Sequence, residues 1–225
     1  MKEEIINGIN YRLDEDNQTA EVIYSEDNAS DIIIPETVEF NEVTYCVTSI
    51  GAEAFRNCDS LETIVIPNSV ESIGAGAFMA CLSLAAIAIP NSVTSIGELA
   101  FCFCSSLTVI VIPNSVTSIG KNAFSMCDSL VEITIGNSVK SIGESAFNGC
   151  TSLTDITIPD SVTSIGAKAF SHCFSLTDIY YRGTTDQWYE ITLGEDWTAG
   201  TEVEDIHCTD GNYNDVVWKD FFGGC

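Results

Sequence analysis

The chain has 225 residues, 33 of them acidic and 8 basic, for a net charge of −25, yet 45% of its residues are hydrophobic. An acidic disordered tail would lack that apolar content. So few lysines and arginines cannot neutralise a phosphate backbone or hold an anionic membrane surface, so no nucleic acid is expected as a partner.

The opening, Met1 to Gly8, has no apolar stretch of the kind a signal peptide carries. The longest apolar stretch, 77–90, is too short to span a bilayer, so no membrane insertion is expected. A soluble chain is expected, either cytoplasmic or a piece of a longer secreted protein. Residues 1–45 are read as an N-terminal cap. Ile5–Tyr11 and Ala20–Tyr24 form the strands of a hairpin turning at Asp14–Asn17. Ile32–Pro35 begins an incomplete first coil, extended by Glu39–Glu42.

Residues 46–181 hold six 23-residue repeats. Phe55, Phe78, Phe101, Phe124, Phe147 and Phe170 recur at that period, each preceded by alanine. Leu61, Ile64 and Cys58 each start a ladder of the same spacing, and Ile89–Gly97 recurs unchanged as Ile112–Gly120. A fixed period in the twenties is the signature of a solenoid. In the unit beginning at Leu107, Ile110 and Ile112 alternate with Val109 and Val111, which is strand period. Pro113-Asn114-Ser115 makes a corner, because proline fixes φ and asparagine bonds its own backbone. Val116–Ile119 is a second short strand, and Gly120 permits a bend. Lys121–Cys127 reads as about two helical turns, with Phe124 and Cys127 on one face. One coil buries too little apolar surface to offset its ordering entropy, so coils are stable only when stacked and capped.

Residues 182–225 are read as the C-terminal cap and tail. Asp178–Tyr181 is the last repeat strand, Thr185–Ile191 a short capped helix and Asp205–Cys208 a final strand. Trp218, Phe221 and Phe222 are expected to tuck the tail onto the cap.

The unit Leu-Thr-x-Ile-x-Ile-Pro-x-Ser-Val-Thr-Ser-Ile-Gly-x-x-Ala-Phe-x-x-Cys resembles the BspA-like class of bacterial leucine-rich repeat. The opening Asn7–Leu13, and Ile179–Thr184 with Gln187-Trp188 and Ile206–Gly211, are similar to the flanks of such proteins, so the resemblance covers about residues 5–211. It implies a leucine-rich-repeat solenoid, right-handed and β-rich with short helical turns, with a parallel sheet on the concave side. It also implies a non-catalytic binding role, in recognition of or adhesion to a protein or cell-surface partner. A surface or secreted location follows from the resemblance, and the cytoplasm is the alternative.

Candidate chemistry is sparse. The cysteine ladder (Cys58, Cys81, Cys104, Cys127, Cys150, Cys173) is read as reduced and buried, because cysteine packs as a small hydrophobe. A linear ladder offers no tetrahedral zinc site. Cys46, Cys102, Cys208 and Cys225 lie outside it and are read as free. The acidic clusters Asp14–Asn17 and Asp210–Asp215 lack the glycine and glutamate of a calcium loop and are read as turns. His172 is placed at the surface and His207 in the cap strand. The sequons at Asn17 and Asn28 matter only in a secreted eukaryotic setting. No cofactor, metal or catalytic residue is assigned, since near-identical coils repeat one set of groups in a line instead of converging different ones.

The copies differ at outward positions. Along the strands these are Thr63 and Val65, Ala86 and Ala88, Val109 and Val111, Glu132 and Thr134, Asp155 and Thr157, Asp178 and Tyr180. The N-terminal half of this candidate binding face is apolar, and the C-terminal half carries a column of three carboxylates. Met79, Leu82, Leu99, Cys102 and Phe103 are expected to form an apolar interface on two adjacent coils. The first reading is a protein-binding module. The alternative is a self-assembling scaffold element using that patch, which would make a homo-oligomer.

Overall fold

The computed structural model describes residues 1–25 and 29–214; Asn28, Cys225, Trp218, Phe221 and Phe222 lie outside the described residues. The chain opens with β1 (Lys2–Ile6), β2 (Ile9–Asp14), β3 (Thr19–Ser25), β4 (Asp31–Ile33), β5 (Thr37–Phe40) and β6 (Val43–Ile50). Paired short strands follow: β7 (Thr63–Val65) and β8 (Ser72–Ile73), β9 (Ala86–Ala88) and β10 (Ser95–Ile96), β11 (Val109–Val111) and β12 (Ser118–Ile119). Two more pairs are β13 (Glu132–Thr134) and β14 (Ser141–Ile142), and β15 (Asp155–Ile158) and β16 (Ser164–Ile165). The chain closes with β17 (Asp178–Tyr181), α1 (Thr185–Tyr189), β18 (Thr192–Leu193), β19 (Asp205–Cys208) and β20 (Gly211–Asn214).

These strands stack into two long rows. One sheet runs β1-β2-β3-β6-β8-β10-β12-β14-β16-β18, with β5 added beside β6; the other runs β20-β19-β17-β15-β13-β11-β9. β4 pairs with β7, which lies against β9. Equivalent residues face each other across the repeats: Ile96 pairs with Ile119, and Ile110 with Ile133. Parallel pairing at the repeat period is what identical neighbouring coils must give. Identical side chains then form columns inside.

The phenylalanine column shows the result. Rings from Phe55 to Phe170 stack with centroids 5.1–5.4 Å apart and planes within 4–8°. Trp197 ends the column edge-on, 6.1 Å from Phe170. Trp188 and Tyr181 pack behind it. The C-terminal cap thus replaces the missing next phenylalanine with indole. At the other end Tyr11, Leu13, Ala20 and Val22 close the core, and burial pushes the Tyr11 hydroxyl up to about 12.

Three local expectations are corrected. First, Lys121–Cys127 and its equivalents are not helical; α1 is the single α-helix among the described residues. Each arc holds two residues of left-handed φ, such as Leu99 (59°) and Phe103 (64°), or Asn122 (52°) and Met126 (59°). These reversals turn backbone N–H groups toward the next coil: Leu99 donates to Lys121, Phe101 to Ala123 and Phe103 to Ser125, each at 2.7–2.8 Å. The arcs are therefore a third ladder, bonded between coils where a helix would bond within itself. Second, the ladder glycines serve close approach rather than a bend. Gly120 does not have positive φ, and a Cβ on it would lie 2.5 Å from the Gly97 carbonyl oxygen. Third, the N-terminal strands split earlier than expected. Asn7-Gly8 and Asn41-Glu42 both have positive φ at two successive residues, the type I′ geometry of a tight hairpin.

Candidate functional site

The outward strand positions form one continuous face. In register, Asp31 sits beside Thr63, Ala86 beside Val109, Val109 beside Glu132, and Asp155 beside Asp178. Val65, Ala86, Ala88, Val111, Glu132, Asp155 and Tyr180 are exposed; Val109 and Asp178 are half-buried between their neighbours. The division expected from the sequence is present, with an apolar surface on β9 and β11 and carboxylates on β13, β15 and β17.

Two of those carboxylates are anchored by the residue before them. Thr154 donates its hydroxyl to Asp155 at 2.9 Å, and Thr177 donates to Asp178 at 2.8 Å. Ser30 does the same for Asp31 at 2.7 Å, and Thr63 adds a second hydroxyl there. These bonds favour the ionised form and hold the Asp31 carboxyl below its usual range.

At the C-terminal end the face contains a group that strand alternation alone does not show. His207 of β19 sits in register beside Tyr180, with ring centroids 4.9 Å apart and planes 26° apart. Its Nε2 lies 2.9 Å from Asp178 Oδ1 and its Nδ1 3.2 Å from Asn212 Oδ1. The bond to Asp178 is the main cause that raises the His207 pKa above 6.5, partly opposed by burial. Asp178 is lowered in turn, first by Thr177 and then by His207. The Tyr180 ring is covered by His207 on one side, so it is not an open platform for stacking a ligand.

A model of the BspA type leucine-rich repeat region, in 6 copies, matches residues 20–139 and 117–193. The chain belongs to the BspA-type leucine-rich repeat family. Among solved structures, a T. pallidum leucine-rich repeat protein is 30% identical over 86% of each chain, with a TM-score of 0.75. A leucine rich cell surface protein of Faecalibacterium prausnitzii is 34% identical, with a TM-score of 0.62, over 80% of this chain and 55% of that one. The pneumococcal vaccine antigen PcpA shares the fold at 19% identity and a TM-score of 0.63, over 93% of this chain and 50% of its own. No curated protein sequence matches. Such BspA-type repeats are in general protein-interaction or adhesion modules.

The second candidate surface lies on the arcs. Phe103 is 46% exposed and Leu82 44%, while Met79 and Leu99 are half-buried. Leu99 and Phe103 have left-handed φ and flank Ala100, Phe101 and Cys102, which are buried. Cys102 is a correction: it is 3% exposed, at the position equivalent to Met79 and Ser125 of the neighbouring coils, and contributes no surface. Met126, 38% exposed, occupies the next outward position after Phe103 and extends the patch. The repeat register would have found it, since Ala80, Phe103 and Met126 are equivalent.

The remaining candidates are structural. Each ladder thiol from Cys81 to Cys173 donates to the phenylalanine carbonyl oxygen of the preceding coil at 3.1–3.3 Å. All cysteines among the described residues are free. Asp14 accepts from the backbone N–H of Asp16 and Asn17 and so closes the β2–β3 turn. Thr184 caps α1 through a reciprocal capping box with Gln187, and Asp210 accepts from the next backbone N–H, that of Thr185, at 2.8 Å. His172 is exposed, packed edge-on against Phe174. Among the described residues no group of three His, Cys, Asp or Glu side chains is placed to hold a metal ion, and no helix is long and apolar enough to cross a membrane.

Proposed function

We propose that the protein is a non-catalytic binding module that recognises a protein partner at a cell surface through the outward face of β7, β9, β11, β13, β15 and β17. The observation that carries this reading is the face itself: a sheet surface with exposed valines and alanines at one end and anchored carboxylates at the other. Those side chains vary from coil to coil while the residues beneath them repeat. The F. prausnitzii relative, a leucine rich cell surface protein, supports the location.

The test is photocrosslinking in the native cell and its surroundings. A benzophenone amino acid replaces Val111 on the face or the exposed Thr117, just before β12 of the opposite sheet. Capture of one partner from position 111 and not from 117 is expected. Equal capture from both positions removes the reading. A second reading, self-association through Leu82, Leu99, Phe103 and Met126, is favoured by the exposure of Leu82, Phe103 and Met126 on adjacent coils, with Leu99 half-buried among the arc residues.

A further inference from the structure

We infer that this same face takes one kind of occupant: an extended polypeptide segment whose apolar residues lie over β9 and β11 and whose lysines or arginines lie over β13, β15, β17 and β19. The inference rests on the binding-module reading and adds the partner's chemistry and its direction. The apolar half excludes a purely ionic ligand, because exposed Val65, Ala88 and Val111 offer nothing to a polyamine or a metal ion. The carboxylate half excludes an acidic or neutral segment, because seating one there strips water from Glu132 and Asp155 without replacing it.

Among the described residues no lysine or arginine pairs with Glu132, Asp155 or Asp178, and Asp178 alone has a partly cationic neighbour, His207. The Lys and Arg ion pairs among the described residues lie elsewhere: Lys2 with Glu4, Arg12 with Glu3 and Glu21, Arg56 with Glu53, and Lys121 with Glu144. On the face, Asp155 stands directly beside Asp178, and like charges so placed repel. Cationic side chains from a partner relieve that repulsion. An extended segment repeats a side chain on one face about every 6.6 Å against about 4.8 Å per rung, and the flexible lysine stem absorbs the difference.

His207 gives the site an internal competitor. The groups facing it are Asp178 and Tyr180 on β17, Asn212 on β20 and Asp205 on its own strand. When protonated it holds Asp178 Oδ1 and places a positive charge where a partner cation would sit. Binding therefore strengthens as pH rises through the His207 pKa and weakens as pH falls through it. Replacing His207 by glutamine removes this dependence.

The experiment uses the full chain and the peptide Val-Thr-Val-Thr-Lys-Thr-Lys-Thr-Lys, labelled at its N-terminus with a rhodamine whose emission does not change over the pH range used and amidated at its C-terminus. Fluorescence polarisation is read at low salt, near about pH 5.5 and about pH 8. The expected result is saturable binding, weakened about tenfold by Glu132→Gln with Asp155→Asn. Binding is expected to be stronger at the higher pH in the wild type and equal at both in His207→Gln. The control pair Glu15→Gln with Asp16→Asn, exposed in the β2–β3 turn at the other end of the solenoid, changes the charge equally and is expected to leave binding intact. Equal loss in the control pair shows attraction to net charge alone and overturns the inference. So does equal binding of the same peptide with glutamate for lysine. A crosslinked partner at position 111 together with no binding of the lysine peptide keeps the module and removes this partner chemistry.

Discussion

The Cys127 thiol donates to the carbonyl oxygen of Phe101, one coil back, at 3.2 Å. The column needs a small apolar side chain with one weak donor, and cysteine is that residue. Burial raises the Cys81 and Cys127 thiols, and pushes those of Cys104 and Cys150 well above their ordinary value. Buried thiols held in the neutral form react slowly. Native labelling with a water-soluble disulfide reagent is therefore expected to spare Cys81, Cys102, Cys104, Cys127, Cys150 and Cys173 and to reach the less buried Cys46, Cys58 and Cys208. Unfolding in guanidinium should release the spared group together; native labelling of all of them would contradict their internal placement.

Phe124 stacks between Phe101 and Phe147, with ring centroids 5.1 and 5.4 Å away. Removing its ring opens a cavity shared by three coils. Phe124→Ala is expected to lower stability by about 3–5 kcal/mol. Coils of a solenoid are held by their neighbours, so the loss should appear across the chain as a shifted denaturation midpoint. An unchanged midpoint in urea would refute the stacking argument.

Much of this was legible before any coordinates. Identical residues at a fixed spacing must stack, so the Phe, Cys, Leu and Ile columns followed directly. The arcs were not legible as turns, because their left-handed positions are filled by Leu99, Phe103, Met126 and Lys168 as often as by glycine or asparagine. Nothing in those side chains signals left-handed backbone; only Gly76, Gly149, Asn57 and Asn122 at equivalent positions hint at it. His207 was placed in the cap strand but not on the face, since the cap breaks the repeat spacing that would align it with Tyr180. Cys102 looked exposed because the expected helix would have turned it outward.

Two glycines separate two physical reasons for the residue. Gly120 has ordinary φ, but a Cβ there would meet backbone of the previous coil at 2.5 Å. Gly76 has φ of +60°, yet a Cβ would find nothing closer than 3.5 Å. Gly120→Ala must push two coils apart and is expected to cost about 3 kcal/mol or more. Gly76→Ala meets only the left-handed penalty, about 1–2 kcal/mol. Equilibrium unfolding of both variants should rank them in that order, and the reverse order would show that coil spacing is soft.

Phe103 sits outward at a left-handed position where Asn57 serves in an earlier coil. Asparagine tolerates that backbone better than phenylalanine. Phe103→Asn is expected to leave monomer stability unchanged or raise it slightly. With Leu99→Ser it should also weaken any concentration-dependent mass seen by sedimentation. Unaltered self-association in the double variant would clear the arc patch of that role.

Asp178 and His207 make the C-terminal cap respond to pH at both ends of the range. The folded-state pKa of His207 is raised, so its contribution is fully present below its unfolded value of 6.5 and fades as pH rises through the folded value. The folded-state pKa of Asp178 is lowered, so its contribution is present above its unfolded value of 3.8 and is lost as pH falls through the folded value. Between those limits the pair is charged on both sides and the β17–β19 contact is strongest. Amide exchange at Ile206 and His207 should be slowest there. It should quicken toward alkaline pH by more than the intrinsic chemical rate, and His207→Gln should abolish that excess. Both side chains face water, so the effect is local and small. An identical pH profile in the wild type and the variant would show that the 2.9 Å contact carries no charge.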